Sequence, residues 1–354
     1  MSRFSAGLIV VCVLAFGLTG CGENRPERPT PATKPVVVAS IHPLADLARA
    51  LAGASAGASP GASASASASA SASVRTLLPP GASPHGFSPS PRAMVDLSDA
   101  DLLLVAGRGL DPWATGLAER VGAEPVVIRL ADFADDGHTR ADPHDPHDTA
   151  GHDHDHNHPD HAHHHAHDHL GPNPHLWLDP VVVRRFVEAV AAALIERVDD
   201  AEADGIRERR DALLAVIDAV DAEYRERLAD APRRRLITFH NAFDPLAERY
   251  GLEVVAHLTP IELGTAGEVT PARLNRAADA ITQYDVPAVY VEPQFNDDVA
   301  HRLAELTGVR VLTLDPLGHP DLEGRRTWPE LMRYNLDTLV EGQSADAEQP
   351  SGSK

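Results

Sequence analysis

The feature that constrains this chain most is an alternation that occurs twice. Short apolar, β-branched runs fall at 36–41, 74–78, 102–105 and 125–128, with helical stretches at 43–51, at 91–97 and before the fourth run. A second series of runs falls at 236–239, 253–256, 288–291 and 309–314, with helical stretches at 245–250, 271–284 and 296–306 and a last one at 329–340. Strands that alternate with helices build parallel βαβ units, because a crossover helix is the compact way to return to the same sheet edge. Between the two series the apolar residues change to helical spacing. Phe186, Val190 and Leu194 share one face, as do Leu213, Ile217, Val220, Tyr224 and Leu228. The expected fold is therefore α/β with two lobes, each a parallel sheet flanked by helices, joined by a single long backbone helix. The lobes span 35–180 and 231–341, the helix spans 181–230, and Gly205 is its candidate break.

Four segments fall outside this pattern. Residues 1–21 combine Arg3, a short apolar run and a small-residue end, Leu18-Thr19-Gly20-Cys21, the pattern of an export signal. That end resembles a bacterial lipobox, which implies cleavage before Cys21 and lipid on its thiol. Residues 22–34, rich in Pro and charge, suit a tether. An Ala-Ser tract at 54–73 has no large apolar side chain and is expected to be a solvated insert. The tail at 342–354 is polar and is expected to be disordered.

Charge and histidine point to the ligand class. The formal net charge of −21 disfavours nucleic acid, whose phosphates select basic surfaces. Of the 20 histidines, 13 lie between His138 and His169, interleaved with Asp. Both cysteines, Cys12 and Cys21, lie in the export segment, so no disulfide stabilises the folded part.

In open parallel sheets, ligands bind beyond the carboxyl ends of the strands. Metal-capable side chains at such positions are His42, His85, His240, Glu292 and Asp315, and His175 precedes the long helix. Imidazole and carboxylate together suit zinc, and a closed four-ligand shell favours binding over hydrolysis. No His-Glu-x-x-His helix is present.

Several motifs then occur in order: Ser40-Ile41-His42-Pro43, Pro80-Gly81-Ala82-Ser83-Pro84-His85, Asn173-Pro174-His175-Leu176-Trp177-Leu178-Asp179-Pro180, Thr238-Phe239-His240-Asn241-Ala242-Phe243, Glu292-Pro293-Gln294-Phe295 and Leu314-Asp315-Pro316-Leu317-Gly318. With them, nearly all of 35–340 resembles the zinc-specific solute-binding proteins of bacterial ABC importers. The resemblance implies a Zn2+ site in the cleft, with His85, His175 and His240 as its first three ligands and Asp315 as the fourth. Manganese relatives carry Glu at the third position, so His240 implies zinc. Glu292 is the alternate fourth ligand or a hydrogen-bond acceptor, and His42 belongs behind the ligands. The His-rich loop at 138–169 implies accessory capture by His152, His154, His156, His158, His161, His163, His164, His165, His167 and His169. The implied partners are an ABC permease and its ATPase, and the implied location is extracytoplasmic, as a monomer anchored to the membrane through Cys21. A zinc hydrolase, a surface metal store or adhesin, and a manganese receptor are the competing functions. Affinity is expected to fall below about pH 6 as imidazoles protonate.

Overall fold

The computed structural model describes residues 33–54, 70–135, 172–259, 261–262, 265–266 and 270–344. The leader, Cys21, nearly all of the tether and the His-rich loop lie outside the described residues.

The first lobe contains β1 (Val36–Ala39), α1 (His42–Ala52), β2 (Ser73–Thr76), α2 (Pro91–Leu97), β3 (Leu102–Val105), α3 (Pro112–Val121) and β4 (Val126–Arg129). Its sheet is parallel throughout, in the order β2-β1-β3-β4. The central strands β1 and β3 are apolar at every position because helices cover both faces.

The second lobe repeats this topology. Its strands are β5 (Arg235–Thr238), β6 (Glu253–His257), β9 (Ala288–Val291) and β10 (Arg310–Thr313), in the parallel order β10-β9-β5-β6. A small antiparallel hairpin, β7 (Ile261–Glu262) with β8 (Thr265–Ala266), follows β6.

Between the lobes the sequence expectation needs one correction. The periodic stretch is two helices, α4 (Pro180–Ile195) and α5 (Asp200–Ala229), packed on each other. The chain breaks at 196–199, where the Asp199 carboxylate caps α5 by accepting from Glu202 N. Gly205 lies inside α5. A Cβ there would meet Arg209 Nη1 at 3.1 Å, and that guanidinium is bent back to donate to Leu51 O and Ser71 Oγ. The 30-residue α5 is the long connecting helix, about 45 Å from end to end. It starts against α1 and ends beside α9 (Trp328–Gln343), where Tyr224 donates to Met332 O. The remaining helices are α6 (Asp244–Arg249), α7 (Pro271–Tyr284) and α8 (Asp298–Thr307).

Residues 55–69 of the insert and 345–354 of the tail lie outside the described residues, and the described ends of both depart from expectation. The end of the Ala-Ser tract joins the fold: Ala70 and Ala72 are buried, Ser71 N donates to Ala52 O, and Ser73 begins β2. Small residues fill little volume, but they let an edge strand approach α1 closely. At the other end, Gly342 and Gln343 complete α9. Gly342 packs so tightly on Tyr290 that a Cβ would collide with the phenol oxygen.

The helix α9 bridges the lobes a second time. Its first residue, Trp328, donates from its backbone to Asp46 on α1 and from its indole to Trp177 O, while Trp177 donates to Pro316 O. Its end is held by Arg310 on β10. Among the described residues, no helix is long and apolar enough to cross a membrane.

Candidate metal-binding site

Three loops deliver the histidines. His85 lies in the turn after β2, where Trp113 on α3 donates to Pro84 O at 3.2 Å and stacks edge-on against Phe87. His175 ends the Asn173-Pro174 approach to α4. His240 follows β5 directly, and the Thr238 hydroxyl fixes its carbonyl with a 2.8 Å hydrogen bond. His257 shares that hydroxyl at 2.9 Å, so it is structural, and His301 is exposed beside Asp297.

The structure brings His85, His175 and His240 together. Their ligand atoms lie within 4.8 Å of one another, the one such group among the described residues. His175 Nε2 is 3.0 Å from His85 Nε2 and 3.3 Å from His240 Nε2. His175 and His240 are each 2% exposed.

The outer nitrogens decide what the inner ones are. Asn173 Oδ1 receives the His175 backbone N–H at 3.0 Å, while Asn173 Nδ2 donates to Asn241 O at 2.7 Å. The amide orientation is thus fixed, and Oδ1, 2.8 Å from His175 Nδ1, must accept from it. Glu292 Oε1 likewise accepts from His240 Nδ1 at 2.5 Å. Neutral imidazoles that donate through Nδ1 turn lone pairs outward at Nε2. The Nε2 atoms of His175 and His240 therefore face each other as acceptors at 3.3 Å, which is not a hydrogen bond. A cation held between them makes that approach favourable. Tetrahedral zinc with Zn–N of about 2.0–2.1 Å requires its nitrogens roughly 3.3 Å apart.

The electrostatics agree. Burial holds His85 down to about 3, with His240 adding to the effect. Burial also holds His175 well below the ordinary range, reinforced by His240 and His85. The site therefore keeps these two imidazoles neutral and ready for a metal.

Two of the other candidates do not join the cluster. Asp315 is buried but lies outside the ligand group. Its Oδ2 pairs with Arg325 at 3.0 Å, and its Oδ1 accepts from Leu317 N and Gly318 N. Both oxygens accept hydrogen bonds from the protein, so Asp315 stands in a polar network beside the histidine group rather than within it. His42 accepts no place behind the ligands: its Nε2 meets Arg326 O at 2.9 Å, away from the cluster. Glu292 takes the hydrogen-bonding alternative, on the nitrogen of His240 that points away from the other two histidines. Its other oxygen, Oε2, is buried without a partner.

Sequence reasoning missed Asn173 and Trp113 as supports. Asn173 stood in a quoted motif two residues before His175, but nothing in the sequence signals its contact with Asn241. A small cavity lined by His85, His175, His240, Trp177, Glu292, Phe295 and Leu317 completes the site.

The chain is 26% identical over 340 residues to the manganese-binding lipoprotein MntA of Halalkalibacterium halodurans, covering 95% of this chain and 97% of that protein. It is 27% identical over 359 residues to the iron-binding protein YfeA of Yersinia pestis, covering 96% and 97%. It is 27% identical over 351 residues to the zinc-binding lipoprotein AdcA of Streptococcus pneumoniae, covering 97% of this chain and 62% of AdcA. Among solved structures, ZnuA matches with a TM-score of 0.66 at 21% identity, over 88% of this chain and all of that one. The periplasmic zinc-binding protein TroA of Treponema pallidum matches with a TM-score of 0.67 at 20% identity, also over 88% and 100%. The metals named among the relatives differ, whereas the two-lobe fold is common to the two solved structures. With residues 37–342 matching its model, the chain belongs to the ZnuA family, zinc-uptake complex component A, periplasmic.

Proposed function

We propose that the protein is an extracytoplasmic receptor that captures Zn2+ between its lobes and delivers it to an ABC permease and its ATPase. The observation that carries this reading is the convergence of three Nε2 atoms at 3.0 and 3.3 Å, two of them turned outward as lone pairs by Asn173 and Glu292. Manganese favours sites with more oxygen donors, whereas imidazole suits zinc. Among the oxygens near this cluster, Asp315 is committed to Arg325 and Glu292 sits behind His240. The donor set therefore supports zinc over the manganese named for MntA.

Three nitrogens leave a fourth position for water. An open position is compatible with either binding or hydrolysis, and family membership supports a receptor over an enzyme.

The rest of the reading follows the sequence. Lipid on Cys21 would hold the receptor at the membrane. The His-rich loop would supply weak capture at high effective concentration, because ordering a chain segment around a metal costs conformational entropy at each site. Competition calorimetry with Zn2+, Mn2+ and Fe2+ on the lipid-free protein tests the proposal. Zinc must displace the other two from a single tight site, also after deletion of 152–169. Preferential retention of manganese would overturn it.

A further inference from the structure

One side chain touches both halves of the cluster. Asn173 belongs to the first lobe, and its Oδ1 accepts from both the ring Nδ1 and the backbone N of His175, at 2.8 and 3.0 Å. Its Nδ2 crosses to the second lobe and donates at 2.7 Å to Asn241 O, the carbonyl immediately after His240. Arg108, in the loop after β3, donates to Asn173 O at 3.1 Å and holds the backbone of this residue in turn. The acceptor end of the amide therefore sets one imidazole, and the donor end sets the backbone that carries another.

We infer that Asn173 is a positioning residue that fixes the separation of His175 and His240 across the cleft, so that their nitrogens meet a metal already spaced for it. The inference rests on the metal-receptor reading above. Other ties along the same segment leave this task to Asn173. Trp177 donates to Pro316 O, and Asp179 pairs with Arg249 on α6 at 2.5 Å, so both join the lobes at the base of the seam. Neither touches the backbone beside His240. Asn173 makes the tie at the metal end. An amide suits this place because it offers an acceptor and a donor at two corners of one rigid plane. Fixed spacing lowers the cost of assembling a shell from two bodies.

The test uses zinc itself, followed by transfer to a chromogenic chelator, and nitrogen-15 resonances of labelled histidines in the zinc-loaded protein. Asn173→Ala should raise the zinc dissociation rate at least about tenfold, the scale of losing a group behind a ligand. It should also shift the ring resonances of both His175 and His240. Asn173→Asp keeps the acceptor for His175 but sets a carboxylate against Asn241 O. It should restore the His175 resonances and leave those of His240 displaced. Movement of His175 alone in Asn173→Ala would overturn the cross-cleft role, as would an unchanged dissociation rate. If the alanine variant does not fold, the aspartate variant decides by the His240 resonances. Wild-type protein that binds no zinc would instead refute the receptor reading, which separates the two failures.

Discussion

The two lobes have the same sheet order but use their strand ends differently. In each, the first and third strands lie side by side at the point where the connections diverge, the place where open parallel sheets bind ligands. In the second lobe that point is β5 beside β9, and it presents His240 with Glu292 behind it. In the first lobe it is β1 beside β3, and it is sealed. Asp111 there accepts from Ser40 Oγ at 2.6 Å and from the backbone of Ala106 and Gly107. The first lobe instead contributes its histidines from longer loops, at His85 and His175. Asp315, at the end of β10, is sealed in the same way by Arg325 and two backbone amides. A strand end thus offers a site only where a side chain keeps an unshared lone pair. An acidic side chain with several donors around it is a structural joint.

That contrast breaks most directly by substitution on the open side. His240→Ala should lower zinc affinity by orders of magnitude in calorimetry, with His175→Ala similar. The sealed side should behave oppositely. Asp315→Asn should lower stability by about 3 kcal/mol in chemical denaturation, because Arg325 loses its buried partner, while zinc affinity stays within a few-fold. Loss of zinc binding in that variant would return Asp315 to the metal shell. Glu292→Gln should weaken zinc about tenfold, since the neutral amide holds the His240 ring less firmly. Asp111→Ala should cost roughly 1–3 kcal/mol of stability by leaving buried donors unpaired, with zinc affinity unaltered.

Acid should separate the two kinds of site most finely. A histidine held below its unfolded value of about 6.5 binds fewer protons folded than unfolded, so it costs stability as pH falls from about 6.5 toward its folded value. His85, held near 3, and His175, held well down, both act in this direction. A carboxylate that burial raises acts oppositely. Asp46, pushed up to about 6, gains stability as pH falls from there toward its unfolded value. Thermal melts of the zinc-free protein between pH 7 and 4 should therefore lose less on acidification in His85→Gln than in wild type. Asp46→Asn should show a steeper loss than wild type.

The sequence by itself determined the order of elements. Alternating β-branched and helical runs give eight strands in two parallel sheets, and they place the helices at 91–97 and 271–284 and the strands at 102–105 and 288–291 to the residue, because local periodicity carries that information. It also picked out the three histidines that the fold brings together, since motifs mark the loops that carry them. It misplaced the break in the long helical stretch, because Gly205 weakens a helix locally while its contact with Arg209 is a matter of packing. It missed that the end of the Ala-Ser tract and the residues around Gly342 belong to the fold, because small residues look inert until the neighbour that requires them is known. Only the tertiary structure decided which polar groups at the cleft are free. Whether Asp315 faces a metal or Arg325, and whether Asn173 serves one lobe or both, depends on residues 10 and 68 positions away. Hydrogen bonds across such distances leave no periodic trace in a sequence. The fold assembles them, and they leave three imidazole nitrogens turned toward one another.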